Sequence, residues 1–231
     1  MRRIYKRGFG VVLAAAMATG NVAGYATEAT KDGSGAAGIS AETALEKVDG
    51  SQFEGEEWYD QNATFQVNRE KAHTSFTSFA SVEDAKERDA DKAPFKQLLN
   101  GAWKFEFADN PAGRNTEFYK NEYDVSGWDE ITVPSNWQTE GYDYPKYTDT
   151  RLPWEGVETP ELGVAPVKYN PVGSYRRSFT TPAEWDGKEI LVSFQGVESA
   201  FYVWVNGEYV GYSEDSYTPA EFDISSYLNA P

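Results

Sequence analysis

The chain has 231 residues, no cysteine, a single histidine and a formal net charge of −16. Thiolate zinc sites, multi-histidine metal sites and a disulfide framework are excluded, so stability has to come from burying a sizeable core. So acidic a surface repels phosphate backbones and anionic lipid headgroups, which excludes nucleic acid and membrane surfaces as partners and serves solubility instead.

At the start of the chain, Arg2, Arg3, Lys6 and Arg7 precede an apolar run from Phe9 to Ala18, and Gly24-Tyr25-Ala26 supplies small residues of the kind a signal peptidase reads. This predicts a secretory signal over residues 1–26 and a secreted, extracellular or cell-surface destination. The run is about half of the roughly 20 residues a membrane span requires, so no span is expected. Residues 27–55 are mostly small or charged and read as a flexible leader, with a short helix over 41–48 as the alternative.

The folded part is expected over residues 56–231. Ser81 and Asp84 have capping-box spacing and predict a turn or two of helix. Ala102 to Ala108 alternates, which predicts a strand with Trp103, Phe105 and Phe107 on one face. The Pro- and Tyr-rich segment 134–171 is too long for a plain connection, so it is functional or packed on another domain. Tyr175 to Phe179 is a further strand, and Ile190 to Phe194 is continuous enough for an interior one. Two apolar runs flank Asn206-Gly207, which predicts a β-hairpin with a type I′ turn. Phe201, Val203 and Val205 then share one face, Tyr202 and Trp204 the other, and both are buried. Glu221 to Ile224 reads as a strand entering a turn at residues 225–228. Short strands, long loops and no helical period give an all-β fold, a jelly-roll β-sandwich. No strand pattern follows Leu228, so the domain is expected to be incomplete at its C-terminal end.

Five stretches in series resemble the large β-galactosidases of glycoside hydrolase family two. They are Val67-Asn68-Arg69-Glu70-Lys71-Ala72-His73, Leu98-Leu99-Asn100-Gly101-Ala102-Trp103-Lys104-Phe105, Val133-Pro134-Ser135-Asn136-Trp137-Gln138 with Gly141 to Asp149, Asn170 to Arg177, and Gly196 to Asp223. The resemblance implies a galactose-binding-domain-like jelly roll that precedes an immunoglobulin-like domain and a barrel. It implies β-galactoside substrates cleaved with retention by two glutamates about 5 Å apart. Both glutamates belong to the barrel, so no catalytic residue is expected in this chain. Two substrate-site positions carry over. Asp149 matches a position, often asparagine, whose side chain reaches the galactosyl group. Asp215 matches an aspartate that contacts the galactosyl 6-hydroxyl and a sodium ion. Hard cations take oxygen ligands, and the other sodium ligands would come from the barrel. Sodium and magnesium are implied for the whole enzyme and no cofactor for this segment alone. A homo-oligomer is compatible with the full-length form.

Each position has a plainer reading. Asp215 could be a turn residue after the hairpin, and Asp149 a loop carboxylate in water. Asn136, Trp137, His73 and Arg69 read as structural, with Arg69 placed to fork onto a carboxylate. Trp154 and Tyr169 could stack on sugar or pack on a neighbouring domain. The expected function is the N-terminal domain of an exported β-galactosidase. A non-catalytic carbohydrate-binding module and an inactive truncated fragment are the alternatives.

Overall fold

The Asn206-Gly207 hairpin organises the large sheet. Both residues adopt positive φ, 53° and 87°, as the predicted turn requires. The computed structural model describes residues 9–15, 22–27, 64–145, 154–159, 161 and 164–229. Among these, the strands are β1 (Phe9–Ala15), β2 (Val22–Thr27), β3 (Gln66–Val67), β4 (Lys96–Leu98), β5 (Gly101–Ala108), β6 (Asp129–Val133), β7 (Val172–Phe179), β8 (Glu189–Phe194), β9 (Ala200–Val205), β10 (Glu208–Glu214) and β11 (Ala220–Asp223). One helix, α1 (Val82–Glu87), is capped as its sequence predicts, with Ser81 Oγ accepting from the Asp84 amide.

The strands form two antiparallel sheets, ordered β3-β10-β9-β1-β7-β5-β6 and β11-β8-β2-β4. This is the all-β sandwich that the alternating runs predict. Trp103, Phe105, Ile131, Tyr175, Phe201, Val203 and Val205 of the large sheet share one core with Ile190, Val192, Phe194 and Phe222 of the small one. A bulge between Tyr209 and Gly211 lets β10 keep Val210 in that core while Tyr209 and Tyr212 join Tyr202 on the outer face. The hairpin is thus buried on both sides, although Trp204 is only half-buried. Its indole is covered by the 109–128 connection, where Tyr119 stacks on it at 5.3 Å. Arg176 fastens that connection by donating to the carbonyls of Phe118, Tyr123 and Asn121.

The segment with the export signature contributes two interior strands that the sequence reading does not foresee. β1 lies between β7 and β9, and β2 between β8 and β4. A short apolar run has the composition of a buried strand as well as of a signal core, and periodicity cannot separate the two. Thr27 ends β2, and the remainder of the expected leader lies outside the described residues. No helix among the described residues is long and apolar enough to cross a membrane.

Candidate functional site at one end of the sandwich

Register brings four connections to one end of the large sheet. Ala15 pairs with both Gly173 and Phe201, so β7 and β9 begin side by side. Glu214 pairs with Ala200, so β10 ends there. Ala108 pairs with Val172, so β5 ends there too. The connections 109–128, 195–199 and 215–219 therefore open onto the same rim, and 134–171, which leaves β6 at the opposite end where Val133 pairs with Gly101, reaches it at Val172. Loops held by a rigid sheet in this way are where binding groups concentrate.

Asp215 stands exposed at the tip of the hairpin's outgoing strand. Its φ is 84°, a left-handed conformation that a non-glycine residue holds only when its surroundings fix it. The fixing contacts are visible. Oδ1 accepts from the Tyr217 amide at 3.0 Å, and Oδ2 accepts from the Thr218 hydroxyl at 2.6 Å. Arg69 then bridges the two ends of the loop. Its Nη1 donates to Ser213 Oγ at 3.1 Å, and its Nη2 donates to Thr218 Oγ1 at 2.9 Å and to the Pro219 carbonyl at 2.8 Å. The expected carboxylate fork is thus corrected to a fork on hydroxyl and carbonyl oxygens. The Thr218 hydroxyl, the Tyr217 amide and the Arg69 charge together hold the Asp215 carboxyl below its ordinary range. The group is ionised at neutral pH. Each of its oxygens keeps a further lone pair for a sugar hydroxyl or a hard cation.

The strap that carries Arg69 continues to His73. Glu70 donates its amide to the Glu221 carbonyl, and His73 Nε2 meets Glu221 Oε2 at 2.7 Å. The Thr74 carbonyl on Nδ1 and then the Glu221 carboxylate raise the His73 pKa. Both residues are structural, as read from sequence. Their task is to clasp β11 and the Asp215 loop.

The 134–171 segment supplies the second half of the rim. Trp137 is buried against Phe107 at 5.5 Å, and Tyr142 lies against Phe105 at 4.7 Å. These contacts fold the segment back onto the core. The Tyr142 hydroxyl donates to Asp129, and its pKa is pushed up to about 12, by burial first and by that carboxylate second. The Asn136 carbonyl, and not its side chain, accepts from Thr139. Further on, Tyr144 stacks on Tyr169 at 6.1 Å with 12° between the rings, and the Tyr169 hydroxyl donates to Asp143. Glu158 accepts from the amides of Val167, Lys168 and Tyr169. Desolvation opposes its charge, but the Tyr169, Lys168 and Val167 amides outweigh that and hold its carboxyl low.

Tyr169 therefore packs as the less exposed ring of a pair, and Tyr144 is the outer one, 51% exposed. A flat ring of this kind can lie against the C–H face of a sugar. The sequence reading passes over Tyr144, although its own motif contains it. Trp154 is partly buried, its carbonyl accepting from the Val157 and Glu158 amides. Asp149 lies outside the described residues. Among the described residues, no group of three or more His, Cys, Asp or Glu is placed to hold a metal ion.

Relatives carry the same region. The chain is 53% identical over 172 residues to a protein of Priestia megaterium named beta-galactosidase, covering 74% of this chain and 17% of that one. A Clostridium acetobutylicum beta-galactosidase is 48% identical over 172 residues, covering 74% and 19%. The beta-galactosidase large subunit of Latilactobacillus sakei is 35% identical over 184 residues, covering 74% and 29%. The chain thus spans between a sixth and a third of the length of these relatives. The family described as "Glycosyl hydrolases family 2, sugar binding domain" matches residues 95–231, more than half of the chain. With its two antiparallel sheets and loop-built rim, the chain belongs to that family as its sugar-binding domain.

Proposed function

We propose that this domain forms the N-terminal part of an exported β-galactosidase that releases terminal β-D-galactosyl groups with retention, and that it supplies the rim of the galactosyl subsite. The observation that carries the reading is Asp215, an ionised carboxylate held by Thr218, Tyr217 and Arg69 at the end where the loops converge. A carboxylate fixed before the ligand arrives accepts sugar hydroxyls without first being ordered. Asp149, from the segment that enters the sheet at this rim, joins it as the second galactosyl contact. The paired glutamates of a retaining mechanism, about 5–5.5 Å apart, come from a further domain. Asp215 contributes one oxygen to a sodium ion there, and magnesium is held outside this chain. Export rests on the basic start and small-residue cleavage motif of residues 1–26.

The test is hydrolysis of nitrophenyl β-D-galactoside by the product of the full reading frame and by the 231-residue chain. Turnover by the full product alone supports the reading. Turnover by the chain alone, or none by either, refutes it. The mature N-terminus in the culture medium, read by mass spectrometry, tests export and is expected at Thr27.

A second reading, a module that binds carbohydrate without cleaving it, draws on the exposed Tyr144 face. Calorimetry of the chain with millimolar galactose or lactose decides it, and heat-silent mixing excludes it.

A further inference from the structure

The Asp215 carboxylate ends a directed chain of hydrogen bonds, and the direction follows from the groups themselves. A guanidinium only donates, and an ionised carboxylate only accepts. Thr218 stands between one of each. Arg69 Nη2 donates to Thr218 Oγ1 at 2.9 Å and takes up a lone pair of the hydroxyl, so its one proton points to Asp215 Oδ2 at 2.6 Å. With the Tyr217 amide on Oδ1 at 3.0 Å, each carboxylate oxygen has a donor from the loop, and rotation of the group is stopped. The same guanidinium orients a second hydroxyl. Nη1 donates to Ser213 Oγ at 3.1 Å, and the Ser213 proton goes to the Glu214 carbonyl at 2.9 Å. Ser213 is fully buried, so the arginine end of the chain is anchored in the sheet. The adjacent Glu214 carboxylate is engaged elsewhere, its Oε1 accepting from the Tyr212 hydroxyl at 2.6 Å.

Thr218 itself is exposed, so its packing adds little to the core. Arg69 Nη2 also donates to the Pro219 carbonyl at 2.8 Å, so the loop stays clasped without the Thr218 hydroxyl. What that hydroxyl adds is the orientation of Asp215. A carboxylate held in one rotation receives a ligand hydroxyl without first being ordered, and it gains nothing from a ligand with no proton to give there.

Resting on the function proposed above, we propose that Thr218 is the positioning residue of the galactosyl subsite. Its hydroxyl, oriented by Arg69, fixes Asp215 as the acceptor for the galactosyl 6-hydroxyl and so sets the preference for galactosides over the same sugars lacking that group.

The test compares Thr218→Val, which keeps the shape and loses the hydroxyl, with Thr218→Ser, which keeps the hydroxyl. In the full-length enzyme, kcat and KM are measured on nitrophenyl β-D-galactoside and nitrophenyl β-D-fucoside. Thr218→Val is expected to raise KM for the galactoside about fivefold, the scale of leaving one side chain to be ordered on binding, with kcat within about twofold. The fucoside is expected to be little affected, so the preference for the galactoside falls about fivefold, and Thr218→Ser is expected to restore it. An unchanged preference in the valine variant, equal losses on both substrates, or a serine variant as impaired as the valine one overturns the proposal.

Amide exchange in the 231-residue chain gives a readout that needs no hydrolysis. The Tyr217 N–H, which shares the Asp215 carboxylate with Thr218, is expected to exchange about fivefold faster in Thr218→Val and at the parent rate in Thr218→Ser. A full-length product that hydrolyses neither substrate refutes the function proposed above, and exchange then decides for Thr218 alone. Protection lost only in the valine variant supports the positioning role, and equal rates in all three chains overturn it.

Discussion

Replacing Gly211 by alanine strikes the point where β3, β10 and β11 meet beneath the Asp215 loop. A Cβ at this position would lie 2.5 and 2.6 Å from two ring carbons of Phe222 and 2.7 Å from the Val67 carbonyl oxygen. Carbon atoms in contact normally sit about 3.5–4.0 Å apart, so the overlap is about 1 Å. Phe222 has no free direction, being fully buried with Phe194 and Phe201 rings at 6.2 and 6.1 Å. The carbonyl belongs to Val67, which pairs with Tyr212 in the β3–β10 ladder, so it is equally unable to yield. The cost therefore falls at the upper end of the overpacking range, about 3 kcal/mol. For a domain of this size that lowers Tm by roughly 6–12 °C. Urea and thermal unfolding followed by tryptophan emission measure it. Gly127→Ala is the control, since a Cβ there meets nothing within 4 Å, and it is expected to stay within about 0.5 kcal/mol of the parent. Equal midpoints for both variants would refute the packing argument at this junction.

Two further substitutions probe the strap. Arg69→Lys keeps the charge but loses the fork that joins Ser213 to Thr218 and Pro219. In the full-length enzyme it is expected to raise KM for a nitrophenyl galactoside several-fold with little change in kcat, and to speed proteolysis within 215–219; unchanged KM and unchanged cleavage would count against the clasp. For His73, the folded-state pKa is raised by the Thr74 carbonyl and the Glu221 carboxylate. Its stabilising effect is then fully present below the unfolded value of about 6.5 and lost as pH rises through the folded value. The Tm gap between the parent and His73→Gln is therefore expected to be widest in mild acid and to close towards alkaline pH, and a gap constant with pH would remove the ion pair from the account.

The legible parts of the fold were those fixed by neighbours in sequence. Asn206-Gly207 demands a tight turn whatever lies around it, and the alternation of Trp103, Phe105 and Phe107 demands a strand with one buried face. Ser81 caps α1 through the residue three places on. What the sequence hid depends on distant partners. The Arg69 fork closes over residues more than 140 positions away. Arg176 looks like any strand arginine until the 118–123 carbonyls arrive above it. Glu158 is one acid among many until three amides converge on it. The interior role of β1 and β2 was hidden for a different reason, since the apolar run that holds β1 satisfies both an export signal and a central strand, and β2 lies across the Gly24-Tyr25-Ala26 motif that reads as a cleavage site. At the site, the Asp215 turn was legible from its residue types. The Tyr144 face was not, because its exposure depends on how the Tyr169 ring packs beneath it.

The central claim is that Asp215 grips the galactosyl 6-hydroxyl, and one comparison isolates that contact. The kcat/KM of the full-length enzyme and its Asp215→Ala variant is measured on nitrophenyl β-D-galactoside and on nitrophenyl β-D-fucoside, which lacks only that hydroxyl. A hydrogen bond to a charged group is worth about 1.5–3 kcal/mol, so the substitution should cost roughly 10- to 150-fold on the galactoside and far less on the fucoside. Equal losses on both substrates, or none on either, would contradict the account.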